Sequence, residues 1–176
     1  MGKTFNDLAN IIFNGIIPKL KDNDGLVVFV KNRAKFERWL QVELCGILSY
    51  HFPTVIPEKD NIDIVLEEKN DDVVKDWAIE LKTVNTSYGF NEVENKTRPI
   101  TQNIEGIIED IKKLRSTNYT NKAILFVVFP VTHNHKYWKK HLAKIDNELN
   151  GGRNTMLEEF KFKNKSPGVI YFGLVK

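Results

Sequence analysis

Apolar residues recur at helical spacing in four stretches of the chain and at strand spacing, or without a break, in five others. Residues 5–20 read as an apolar helix and 26–30 as a short strand. Beginning at Asn32, a favourable helix cap, residues 33–50 carry Phe36, Trp39, Leu40, Leu44, Ile47 and Leu48 at intervals that predict an amphipathic core helix. Residues 61–66 and 77–84 are apolar runs separated by a polar stretch containing Asn70-Asp71-Asp72, which predicts two strands joined by a turn. Thr97-Arg98-Pro99 opens a helix with one stripe of Ile100, Ile104, Ile107, Ile108, Ile111 and Leu114. Residues 123–129 are uninterrupted and rich in β-branched side chains, predicting a strand covered on both faces. Residues 135–149 read as a helix ended by Gly151-Gly152, and 168–175 as a last strand.

Three charges break the apolar runs of the hairpin. Glu80 and Lys82 flank Leu81, and Asp63 lies between Ile62 and Ile64. Residues two apart on a strand share a face, so Glu80 and Lys82 project together. A turn centred between Asp71 and Asp72 sets Asp63 directly opposite Glu80. Like charges across a ladder cost roughly 0.2–1 kcal/mol unless a cation stands between them. A divalent ion such as Mg²⁺, which prefers hard oxygen ligands and shares them with water and phosphate, fits that position. Lys82 beside it would orient a water or offset charge developing on a phosphate. Without a ligand, the same triplet is an amphipathic strand whose Lys82 pairs with Glu80.

The order Asp63, turn, Glu80-Leu81-Lys82 resembles the PD-(D/E)xK nuclease superfamily, although no proline directly precedes Asp63 and the nearest upstream one is Pro57. The resemblance covers residues 33–131. It implies an α/β fold with a restriction-endonuclease-like core, a central mixed sheet flanked by helices in αβββαβ order. It also implies catalytic roles for Asp63, Glu80 and Lys82, with Mg²⁺, for which Mn²⁺ can substitute, held by Asp63, Glu80 and the backbone carbonyl of Leu81. Family members often add a glutamate from the first core helix, here Glu43 or Glu37. On a helical wheel Glu43 lies mid-way along the apolar face while Glu37 sits at its edge; position early in the helix favours Glu37.

A chain of 176 residues, 41% of them hydrophobic, fits one domain: an N-terminal extension (1–31), a core (32–131) and a basic C-terminal part (132–176). No apolar run approaches the ~20 residues that span a bilayer, and no leader pattern opens the chain, so no membrane partner is expected. The single cysteine, Cys45, is expected on the polar side of its helix; its solitude fits a reducing, cytoplasmic setting.

Charge is unevenly spread about a net +3. Between Lys59 and Glu80 the local balance is −5, which suits a cation; from Lys112 onward it is +9, which suits a phosphate backbone. Lys136, Lys139, Lys140 and Lys144 form one helix face, either a DNA-binding surface or a solvated one, and Arg153, Lys161, Lys163 and Lys165 follow. Residues 85–91 mix polar groups with Tyr88 and Phe90 beside Gly89, as an ordinary surface loop or as one that stacks on an unpaired base. His133, His135 and His141 lack partners at zinc-ligand spacing. Neither Gly151-Gly152 nor Gly2-Lys3-Thr4 makes a phosphate-binding loop, and no serine or cysteine has the setting of a nucleophile.

The expected function is therefore an Mg²⁺-dependent DNA endonuclease, of restriction or genome-defence type or else junction-resolving or repair type. A noncatalytic nucleic-acid-binding or assembly module of the same fold is the alternative. Cutting both strands at once would call for a homodimer.

Overall fold

The computed structural model describes residues 3–70, 73–91, 93–94, 100–149 and 154–176. The turn residues Asp71 and Asp72, the helix opening at Thr97-Arg98-Pro99, Gly151-Gly152 and Arg153 lie outside them.

Helix α1 (Phe5–Asp22) starts at a capping box in which the Thr4 hydroxyl accepts from the Asp7 amide while Asp7 accepts from the Thr4 amide. It buries Leu8, Ile12, Ile16 and Leu20 completely, so the N-terminal segment is part of the core. The expected strand at 26–30 is instead helix α2 (Asp24–Lys31). The Asn23 side chain caps it by accepting from the Leu26 amide at 3.0 Å. Leu26 and Val30, one helical turn apart, are buried, and Val28 between them is 59% exposed. That four-residue spacing and the cap override the strand preference of Val-Val-Phe-Val.

Asn32 ends α2 instead of starting the next helix. The chain then turns through Arg33 at φ 51°, and α3 (Glu37–Ser49) begins later than expected. Arg33 is fully buried. Its guanidinium donates to the carbonyls of Thr86, of Tyr88 at 2.8 Å and of Glu94 at 2.7 Å, and its own carbonyl accepts from the Asn85 amide side chain. These bonds offset the roughly 1–3 kcal/mol that a left-handed non-glycine residue costs.

Among the described residues six strands form one mixed sheet: β1 (Thr54–Lys59), β2 (Ile62–Asn70), β3 (Val73–Asn85), β4 (Asn121–Phe129), β5 (Thr155–Lys161) and β6 (Pro167–Val175), in the order β1-β2-β3-β4-β6-β5. Neighbours are antiparallel except β3 and β4, which are parallel and joined by the crossover helix α4 (Ile100–Arg115). From α3 to β4 the element order is αβββαβ. Helix α5 (Lys136–Glu148) follows β4. Strands β1 and β5 have no counterpart in the hydrophobic pattern. β1 carries Pro57 at the sheet edge and joins β2 through Asp60 and Asn61, both at positive φ (54° and 60°), a turn that suits the twist of a tight hairpin.

The β2–β3 ladder runs from Asn70 opposite Val73 to Ile64 opposite Ile79, the expected register. Helices α1, α2 and α3 cover one face of the sheet, over Ile64, Leu66, Ile79, Leu81 and alternate β4 residues from Ala123 to Phe129. Helices α4 and α5 cover the other, over Val65, Ala78, Val84, Ile124, Phe126 and Val128. β4 is thus buried on both faces, as its unbroken run predicts. Among the described residues no helix is long and apolar enough to cross a membrane.

Candidate functional site

One step past the last ladder pair, Ile64 with Ile79, the register sets Asp63 across from Glu80. Regular pairing stops there. The Asp63 carboxylate accepts from the Leu81 amide at 2.7 Å, and the Asp63 carbonyl accepts from the Gln41 side chain at 2.7 Å. Gln41 also donates to Glu58 at 2.7 Å, a β1 residue at φ 57°. A second carboxylate lies farther along the same edge of β3: the Thr83 amide donates to Glu37 at 3.3 Å. A strand residue's N–H and C=O point to one side, so the Leu81 carbonyl faces the same edge, between Asp63 and Glu37.

Glu80 and Lys82 project from β3 toward α4, as the alternation of side chains requires. Glu80 is 3% exposed, and its carboxylate accepts from the Lys113 ammonium at 2.6 Å. Burial pushes its pKa up to about 8, against the pull of the Lys113 hydrogen bond and with further push from the Asp63 charge. Lys113 donates in addition to the Asn61 carbonyl. Lys82 is ion-paired to Asp110 at 2.7 Å. Burial works against the Lys82 charge, but Asp110, with smaller contributions from Glu37 and Asp63, holds its ammonium above the ordinary lysine range. Lys82 therefore does not pair with Glu80. Two strand charges are matched by two helix charges, Asp110 and Lys113, three residues apart on α4.

Gly106 lies one turn before Asp110, and a Cβ there would meet the Lys82 side chain at 3.4 Å. The hydrophobic pattern does not by itself single out Asp110, Lys113, Gln41 or Gly106. The signal was present in part: a lone glycine inside a helix usually has a packing reason, and 110 and 113 border the buried stripe of Ile107, Ile111 and Leu114.

Of the two helix glutamates, Glu37 stands at the β3 edge, while Glu43 is ion-paired to Lys19 of α1 at 2.8 Å. The helical wheel sets Glu43 midway along the apolar face, but in the structure it is half-buried, away from the most buried side of α3. Leu40, Gln41, Leu44 and Leu48 are its buried residues, and Glu43 belongs to the side turned to α1. Cys45 is likewise half-buried against the core and not on a polar side. Burial raises its thiol pKa.

Lys136, Lys139, Lys140 and Lys144 are exposed on α5, opposite the buried Trp138, Leu142 and Ile145. Lys163 is tied to Asp24 at 2.7 Å. The loop after β3 begins as structure: Asn85 and Thr86 are fully buried, Thr86 donating to the Pro130 carbonyl at 3.0 Å and Asn103 of α4 donating to Asn85 at 3.1 Å. Beyond them Tyr88 stacks on His135 with ring centres 4.2 Å apart.

Asp63 and the Leu81 carbonyl at the β3 edge, with Glu80 on the α4 side, are hard oxygen donors of the kind Mg²⁺ or Mn²⁺ takes, and Glu37 lies farther along the strand. Among the described residues no three His, Cys, Asp or Glu side chains converge on one point, and Lys113 supplies the positive charge next to Glu80. No family model, curated protein or solved structure matches this chain.

Proposed function

We propose that the chain is a metal-dependent DNA endonuclease with a restriction-endonuclease-like core. One observation carries the reading: an Asp63 carboxylate and a desolvated Glu80 carboxylate brought together where β2 and β3 part, with Lys82 beside them. Stability alone does not call for such an arrangement, because desolvating the Glu80 carboxylate is costly. The order αβββαβ with one parallel pair supports the same reading.

Asp63, Glu80 and the Leu81 carbonyl would hold Mg²⁺, with water completing its shell. The ion supplies charge neutralisation at the phosphate and lowers the pKa of a water bound to it. The protein's own groups do the rest. Asp110 keeps Lys82 protonated, so Lys82 acts as a hydrogen-bond donor that positions water or a phosphate oxygen. Glu80 must shed its proton to serve as a ligand, so cation affinity rises with pH until about 8 and levels off above it. Exposed lysines on α5 would take the DNA backbone.

The test is cleavage of supercoiled plasmid and of labelled duplex, single-stranded and branched DNA with Mg²⁺ or Mn²⁺. Asp63→Ala, Glu80→Ala and Lys82→Ala should each lower the rate at least about a hundredfold. Discrete products mark a restriction or genome-defence enzyme, and preference for branched DNA a junction-resolving or repair enzyme. Concerted cutting of both strands would require two copies of the chain. The Glu80–Lys113 and Lys82–Asp110 pairs favour a second reading, a noncatalytic binding module, since each charge already has a partner. Calorimetry with Mn²⁺ separates the two, because heat abolished by Asp63→Ala belongs only to the nuclease.

A further inference from the structure

The loop after β3 and the start of α5 meet at the carboxyl ends of β3 and β4, the parallel pair of the sheet. In open α/β sheets that end is where ligands bind. There Tyr88 and His135 stack at 4.2 Å, and Tyr137 stands 6.2 Å from Tyr88 and 5.9 Å from His135, measured between ring centres. Tyr137 is 56% exposed. From Thr132 to Ile145 the chain contains four lysines and no acid, and residues 86–91 contain no acid either. Lys136, Lys139 and Lys140 are exposed on the same first turns of α5.

We propose that this aromatic and basic surface binds an unpaired stretch of nucleic acid, with a base stacked on Tyr137 and phosphates on Lys136, Lys139 and Lys140. The inference rests on the nuclease reading and sharpens it: the substrate carries a single-stranded segment, as in a flap, an overhang or a junction. The rings favour this partner over its rivals. A paired duplex offers no open base faces to an aromatic side chain, and an acidic peptide would engage the lysines alone. A metal site is disfavoured because His133 is engaged with the Tyr171 hydroxyl at 3.0 Å and His135 lies in the ring stack.

The platform is also held in place before any ligand arrives. Arg33 donates to the carbonyls of Thr86 and Tyr88, Thr86 is bonded to Pro130, and Asn103 fixes Asn85 to α4. Such preorganisation lowers the ordering cost of binding. From Lys82 to Tyr88 the chain covers at most about 20 Å, so a strand a few nucleotides long reaches from the carboxylates to the rings.

The test is fluorescence anisotropy of a labelled oligothymidylate and of a duplex of equal length, on the full chain in chelator so that nothing is cut. Tyr137→Ala, Tyr137→Phe and the double variant Lys139→Ala/Lys140→Ala alter exposed positions. The expected result is tighter binding of the single strand, weakened roughly five- to tenfold or more by Tyr137→Ala and restored by Tyr137→Phe, as one stacked base requires. The double lysine variant should weaken both DNAs and flatten the salt dependence. Equal single-strand binding by wild type and Tyr137→Ala, or displacement of the oligonucleotide by polyglutamate as readily as by unlabelled DNA, overturns the proposal. If metal-dependent cutting persists in either case, the nuclease reading survives without it. Tyr137-dependent binding with no cutting of any substrate would keep the platform and remove the nuclease.

Discussion

Strands β3 and β4 run side by side, paired residue for residue from Trp77 with Asn121 to Asn85 with Phe129, yet they solve burial in opposite ways. Glu80 lies beside Ile124 and Lys82 beside Phe126. On β4 both positions are apolar and fully buried, packed under α4 and α5. On β3 both are ionisable, and α4 answers them with Lys113 and Asp110. The same helix thus covers two adjacent strands, one with isoleucines and one with ions. On the proposed reading β3 is the strand where stability yields to chemistry, because apolar groups in a buried ion network's place are often neutral or better for stability.

The largest expected effect falls on the apolar side. Phe126→Ala should cost about 3–5 kcal/mol in urea unfolding. Glu80→Gln should cost far less near neutral pH, because a carboxyl with a pKa of about 8 is already mostly protonated there. A Glu80→Gln penalty as large as that of Phe126→Ala would erase the distinction between the strands.

Next in size is a pH effect. The folded state holds the Glu80 proton up to about 8, whereas an ordinary carboxyl loses it near 4.5. The folded state therefore binds more protons between those values, and stability falls as pH rises through that window. The contribution is fully present below 4.5 and gone above about 8. Unfolding midpoints from about pH 5 to 9 should fall more steeply for wild type than for Glu80→Gln. Parallel curves would mean that Glu80 is ionised throughout.

Lys113→Met removes the ammonium beside Glu80 and should tighten Mn²⁺ binding roughly tenfold at about pH 9, an opposite charge in contact being worth about one pKa unit or more. The gain shrinks at neutral pH, since the lost ammonium also makes Glu80 hold its proton harder. Unchanged affinity at both values would separate Lys113 from the cation position. The smallest effect is that of Gly106→Ala. Its Cβ would only just touch Lys82, so the gain in helix propensity should stabilise α4 by about 1 kcal/mol or less. A loss instead would show that Lys82 needs that space.

The hairpin register was legible because two apolar runs and a polar turn leave few ways to pair, and a shift of one residue would have turned Ile64 and Ile79 away from their core face. The β4 run and the α4 stripe were legible for the same reason. Asp110 and Lys113 were hidden because a charge at the edge of a helical stripe looks alike whether it meets water or a strand charge. Which strand lies beneath is a tertiary fact. β1 is hidden in the sequence because Pro57, Glu58 and Lys59 break its alternation, and α2 reads as a strand because four β-branched or aromatic residues outweigh a cap that only the Asn23 geometry reveals.

Arg33 has a mechanical consequence. Its guanidinium reaches carbonyls at 86, 88 and 94 from a position between α2 and α3, so the α2–α3 junction and the loop under Tyr88 are tied together. A load that peels α2 from the sheet must either break those three bonds or drag the aromatic surface along with it.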